Sequence, residues 1–155
     1  MCPDLLMLDS EEEYKVYYEN NYCRGPIVTH DGIRIFFPKE KFHHAFFESS
    51  NRDGKKDVFS IDRSQRMSWI KLTLENQHSK LFQGWDKDTS QYVPDRRVSF
   101  VYENFVVVVA LSLNRKGSLK GNFITCYQAN NSIESIKKSP EWTKEECLSR
   151  LNFSR

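Results

Sequence analysis

RVSFVYENFVVVVALSLNRKGSLKGNFITCY, residues 97–127, is the stretch whose reading decides the fold. Three runs rich in β-branched and aromatic residues, Arg97 to Tyr102, Phe105 to Leu113 and Leu119 to Tyr127, are separated by Glu103-Asn104 and by Asn114-Arg115-Lys116-Gly117. Side chains of those types fit pleated backbone, and short polar or glycine-bearing breaks turn the chain back on itself. The stretch therefore predicts three successive antiparallel strands. The middle run is apolar on both faces, as a central buried strand must be. In the last run, strict alternation predicts Phe123, Thr125 and Tyr127 on one face and Asn122, Ile124 and Cys126 on the other.

Upstream of this meander the pattern is helical. Ser10 with Glu13 three residues later is a capping box, and Tyr14, Tyr17 and Tyr18 follow at helical spacing, which predicts a helix over 10–22 ended by Gly25-Pro26. Ile33 to Phe37 reads as a short strand halted by Pro38, and Phe42, Ala45 and Phe46 place a second helix within 39–48. The polar stretch 49–56 is a loop. Ser60 caps a longer helix to about Gln77, with Met67, Ile70 and Leu74 as its apolar stripe. A loop over 83–94, anchored by Trp85 and Tyr92, leads into the strands, and two short helices close the chain, the second capped by Thr143 with Glu146. Helices first and an antiparallel meander after make an α+β plan: N-terminal helices packed on an antiparallel sheet of about four strands.

At 155 residues the chain is the size of one domain with one core. Lys and Arg total 23 against 21 for Asp and Glu, and a net charge of +2 makes no global case for a polyanionic partner, so any binding face must be local. An aromatic share of 14% leaves rings beyond what a core needs. Cys2, Cys23, Cys126 and Cys147 lie far apart and form no paired motif, which argues against a zinc site or a disulfide framework. Carboxylates and histidines do not cluster at metal-ligand spacing, so neither a metal nor another cofactor is expected. Met1 to Asp9 is too short and too quickly interrupted by acids to be a secretory segment, and no apolar run is long enough to span a bilayer. The expectation is a cytoplasmic protein with no membrane association.

Several residues have the chemistry to act on a phosphodiester. Cleaving RNA without a metal needs a base for the 2′-hydroxyl, cations for the crowded phosphorane and an acid for the leaving oxygen. His43 and His44 are neighbours on a short helix, about 100° apart, so one can face the core and the other a cleft. Arg63 aligns with the Met67 stripe and needs either a carboxylate partner, Asp62 or another buried acid, or an anion. Arg66 flanks it. Arg96 and Arg97 open a strand on opposite faces, one as an edge charge and one as a phosphate clamp. Thr125 and Tyr127 bring a hydroxyl and a phenol to one strand face, where they orient a phosphate or stack on a base or, on the plainer reading, fill the sheet. Asn122 is placed to turn toward a ligand.

The order of these segments, Phe42-His43-His44-Ala45-Phe46, then Phe59 to Ile70, Arg96-Arg97-Val98, Val106 to Val109 and Gly121 to Tyr127, resembles the phage-associated nucleases of the group uniting barnase, EndoU, the tRNA-cleaving colicins and RelE. The likeness covers about residues 33–142. It implies one or two helices on a four-stranded antiparallel sheet, RNA phosphate held on the sheet face, and metal-free chemistry. The positions matching the group's site are His43 or His44, Arg63, Arg97, Thr125 and Tyr127, while Cys126 stands where a smaller residue is usual. The expected activity is an endoribonuclease working by 2′-hydroxyl attack, with Arg66, Arg96 and Asn122 as further RNA contacts. Small nucleases of this kind resemble toxins or phage-conflict effectors, which implies an antitoxin or immunity partner. The alternative is a non-catalytic RNA-binding or protein-interaction module on the same scaffold.

Overall fold

In the computed structural model, which describes residues 3–49 and 56–153, the 97–127 meander is the centre of the molecule. In chain order the elements are α1 (Glu11–Asn21), β1 (Ile27–Val28), β2 (Arg34–Phe36), α2 (Lys41–Phe46), β3 (Phe47–Glu48), β4 (Val58–Phe59), α3 (Ile61–Ser64), α4 (Ser68–Glu75), β5 (Lys80–Gln83), β6 (Trp85–Asp86), β7 (Gln91–Tyr92), β8 (Arg97–Tyr102), β9 (Phe105–Leu113), β10 (Leu119–Gln128), α5 (Ile133–Lys137) and α6 (Lys144–Phe153). The fold is α+β, as the order of patterns predicts.

The sheet is larger than expected and mixed. Its order is β1-β2-β10-β9-β8-β5, and β2 joins β10 in parallel through Arg34↔Lys120, Ile35↔Gly121 and Phe36↔Asn122. The expected four antiparallel strands are thus six, with one parallel pair. A strand of three residues is stable there because Ile35 is fully buried at the junction. Close approach of β2 and β9 to β10 also requires glycine at 121: a Cβ would lie 2.4 Å from Val109 Cγ1 and 2.7 Å from Ile35 Cδ1.

One face of the sheet is covered by helices. Phe123, wholly buried, has the rings of Phe37, Tyr18 and Phe46 around it at centroid distances of 5.1, 6.3 and 6.4 Å. The face of α1 that goes inward is Tyr14, Tyr18 and then Tyr22, just beyond its end, with Tyr17 only partly buried. Each buried phenol donates to a carbonyl from a different segment: Tyr14 to Leu6 (2.6 Å), Tyr18 to Pro38 (2.7 Å) and Tyr22 to Met67 (2.5 Å). These bonds satisfy hydroxyls that would otherwise be costly to bury and tie α1 to the start of the chain, to the turn after β2 and to the segment before α4. Ser10 accepts from Glu13 N–H as expected, while the Glu13 carboxylate reaches back to Asp9 N–H (2.7 Å) rather than to the cap itself.

The helix expected over 60–77 is two helices, broken at Gln65–Met67. Ser64 Oγ donates to Ser60 O at 2.8 Å, and Arg66 and Met67 N–H bond three residues back, so the turn tightens and the phase of the helix is lost. Arg63 consequently leaves the line of Met67, Ile70 and Leu74. The loop expected over 83–94 is also structured, with β5 running into it and β6 and β7 forming a small hairpin. No helix among the described residues is long and apolar enough to cross a membrane.

Candidate functional site

The outer face of the sheet is only partly covered. At one end α5 lays Ile133 and Ile136 over Phe82, Val101, Val106 and Ala129. The remainder carries the polar side chains, and their placement turns on one irregularity. The β10–β9 register runs Phe123↔Val109 and then Thr125↔Val108, leaving Ile124 as an extra residue in a bulge. The expected alternation is therefore wrong at this point. Phe123 and Cys126 share the buried face with Val109 and Val107, whereas Asn122, Thr125 and Tyr127 share the outer face with Ala110, Val108 and Val106. Arg97, opposite Ala110, stands on that same face. Phe36, Asn122, Ala110 and Arg97 make one row across the sheet, and Thr125, Val108, Ser99 and Phe82 the next.

Strand β2 pairs with β10 only through Asn122, and α2 and α3 pack against β10. His44, exposed on α2, lies in the field of four cations: burial lowers its pKa first, and Lys41, Lys56, Arg63 and Arg97 lower it further. At neutral pH this imidazole is neutral and able to take a proton. His43, its neighbour on the same helix, is exposed and stacks on Phe47 with centroids 4.2 Å apart.

Arg63 is half-buried and held from two sides. Its Nη1 donates to Ala45 O at 3.3 Å, and its Nε lies 3.6 Å from Glu48 Oε1. Glu48 in turn accepts from Ser60 Oγ at 3.2 Å, so the cap of α3 and the β3–β4 hairpin position the guanidinium. The same positive charge acts on Tyr127, whose phenol is pushed up by burial and pulled down by Arg63; the net shift is upward, and Tyr127 keeps its proton. Cys126, behind it in the core, is pushed up to about 12 by burial and is an inert thiol. His44 thus lies in the field of both Arg63 and Arg97, and Tyr127 in that of Arg63, with Thr125 and Asn122 on the sheet face that carries Arg97 and Tyr127.

Two of the expected RNA contacts stand elsewhere. Arg66 Nη1 donates to the Asp62 carboxylate (2.7 Å) and carbonyl (2.8 Å), and its guanidinium lies 5.1 Å from the Trp69 ring centroid, so its charge is used in local structure. Arg96, on the turn before β8, lies 3.7 Å from Asp86 and lines a depression with Asp95, Leu111 and Leu113. Sequence reasoning passes over Lys41, Lys56 and Glu48. Lys41 is visible in principle as the residue one turn before His44; Lys56 and Glu48 stand where the sequence carries no pattern.

Beside Arg97 and Tyr127 the outer face continues into a groove of about 510 Å³ between the β6–β7 hairpin and α5. Trp85 and Tyr92, expected as anchors of a loop, line it instead and are 47% and 36% exposed. Gly84 makes the junction possible, since a Cβ there would lie 2.4 Å from Arg97 Cβ. Among the described residues no three His, Cys, Asp or Glu side chains are grouped so as to hold a metal ion. The chain matches no protein-family model, and no curated protein or solved structure is significantly similar to it.

Proposed function

We propose that the protein is an endoribonuclease that cleaves RNA by 2′-hydroxyl attack without requiring a metal. The observation that carries this reading is the imidazole of His44, its pKa lowered amid Lys41, Lys56, Arg63 and Arg97, together with Arg63 acting also on Tyr127, a phenol that keeps its proton. In that arrangement His44 accepts the proton of the 2′-hydroxyl as its oxygen bonds to phosphorus. Arg63 and Arg97 neutralise the phosphorane, Thr125 and Asn122 orient it, and Tyr127 donates a proton to the departing 5′-oxygen. The products are a 2′,3′-cyclic phosphate and a 5′-hydroxyl. The roles of toxin or phage-conflict effector, with an antitoxin or immunity partner, rest on the family resemblance alone, and a cytoplasmic setting rests on the sequence reading of the N-terminus and apolar runs.

A second reading has its own support. The Glu48 carboxylate 3.6 Å from Arg63 already neutralises part of the charge a phosphate would meet. That pairing favours a module that binds RNA and does not cut it. Total RNA incubated with purified protein in excess EDTA separates the two. The ribonuclease reading expects fragments ending in 2′,3′-cyclic phosphate, lost in His44→Ala and Arg63→Ala; intact RNA across pH 5 to 9, with binding retained, would leave the binding module.

A further inference from the structure

We infer that the groove between the β6–β7 hairpin and α5 is a base-binding subsite for single-stranded RNA, with Trp85 stacking on an unpaired base, Tyr92 buttressing that ring edge to face, and Arg97 holding its phosphate. This placement rests on the ribonuclease reading only for the position of the cut, on the His44 side of Arg97.

Exposed large aromatics in pairs are unusual on a small protein surface unless something covers them. Trp85 and Tyr92 are cross-strand partners in two-residue strands, their rings 5.1 Å apart at 74°, and both remain substantially exposed inside a groove. The hairpin is pinned in place. Asp86 accepts from Asp88 N–H (3.0 Å) and Thr89 Oγ1 (3.0 Å), Val93 N–H donates to Gly84 O (2.8 Å), and Tyr92 Oη reaches Ser139 Oγ across the groove (3.4 Å). The rings are therefore presented on a rigid support, which lowers the entropic cost of stacking.

The charge of the groove selects the ligand. Lys87 and Arg97 are its charged lining residues, both cationic, and the Asp86 carboxylate is engaged by Asp88 N–H, Thr89 and Arg96. Ser99 and Ser135 add hydroxyls that can meet a base edge. About 510 Å³ lies within the roughly 300–1,000 Å³ usual for small-ligand pockets and admits a base with its sugar. An aromatic platform with flanking cations fits an unstacked base on a phosphodiester backbone; a duplex hides its base faces from such a platform.

The test uses the full chain and a fluorescein-labelled RNA 12-mer, 2′-O-methylated throughout so that 2′-hydroxyl attack is impossible, offered single-stranded or as a duplex. Binding is followed by anisotropy from 50 to 200 mM salt, with circular-dichroism melting of every variant. Wild type is expected to prefer the single strand. Trp85→Ala is expected to weaken binding roughly tenfold with the salt slope unchanged, because a stacking contact releases no counterions, and Trp85→Phe to recover most of it. Arg97→Ala is expected to weaken binding and flatten the slope. Should Trp85→Ala fail to melt cooperatively, Tyr92→Ala carries the same expectation. Unchanged affinity in the folded aromatic variants, or equal affinity for the duplex, overturns the subsite. A wild type that shows the Trp85 dependence yet leaves native RNA uncut retains the subsite and removes the nuclease reading.

Discussion

The two faces of the sheet are made by the same three strands and obey opposite rules. On the helix side, Val98, Phe100, Val107, Val109 and Phe123 are fully buried, and the hydroxyls of Tyr14, Tyr18 and Tyr22 that go in with them are each bonded to a carbonyl. On the outer side, the same strands present Arg97 exposed and Ser99, Asn122, Thr125 and Tyr127 partly exposed, with His44 of α2 in the field of Arg97 and Arg63 of α3 acting on Tyr127. The bulge at Ile124 separates the two behaviours: it sends Phe123 and Cys126 inward while bringing Asn122 and Thr125 to the same side. Stability is concentrated on one face, which leaves the other free to carry exposed polar and cationic groups such as Arg97.

If that division is correct, substitutions on the two faces affect different measurements. His44→Ala should lower the rate of RNA cleavage about 10²–10⁴-fold, the usual contribution of a general base, while urea denaturation stays within about 0.5 kcal/mol of wild type. Phe123→Ala should do the converse, destabilising by about 3–5 kcal/mol in urea titration, because a wholly buried ring in an aromatic cluster leaves a cavity. Gly121→Ala should cost about 1–3 kcal/mol, as Val109 and Ile35 move aside for a Cβ that would otherwise lie within 2.7 Å of both. Comparable loss of stability in His44→Ala would break the comparison.

The smaller effects sharpen it. Cleavage that depends on neutral His44 should persist as pH falls through 6.5 and decline only below it, since burial and the four cations hold the imidazole below its ordinary value. The same sign applies to folding. A depressed histidine contributes stability that is whole above its unfolded value near 6.5 and is lost as pH falls through the lower folded value. Smallest of all, Thr125→Val keeps the shape that suits a strand and should reduce cleavage about tenfold, the worth of one hydrogen bond to a charged group, with stability within about 0.5 kcal/mol.

What was legible in the sequence follows from the range of the forces involved. The strands at 97–102, 105–113 and 119–128 were readable because β propensity, turn chemistry and unbroken apolar character agree locally. The parallel docking of Arg34–Phe36 on β10 was not, because a three-residue strand is stabilised by partners more than eighty residues away. The helix break at Gln65–Met67 was hidden because the apolar period runs through it, while the Ser64 hydroxyl decides otherwise. The bulge was hidden because Ile124 reads as one more strand residue. At the site, the sequence does not separate His43 from His44, whose surroundings depend on how α2 packs, and Arg63 meets its carboxylate in Glu48, from a strand pair the sequence does not announce.

The central claim is that His44 shares one electrostatic site with Arg63 and Arg97 on the outer face, and it can be measured without any substrate. Titrating His44 by NMR in wild type, Arg63→Ala and Arg97→Ala should give a wild-type pKa below 6.5 that rises in each variant as a nearby cation is removed. A His44 that titrates at its ordinary value and is indifferent to both substitutions would contradict the claim.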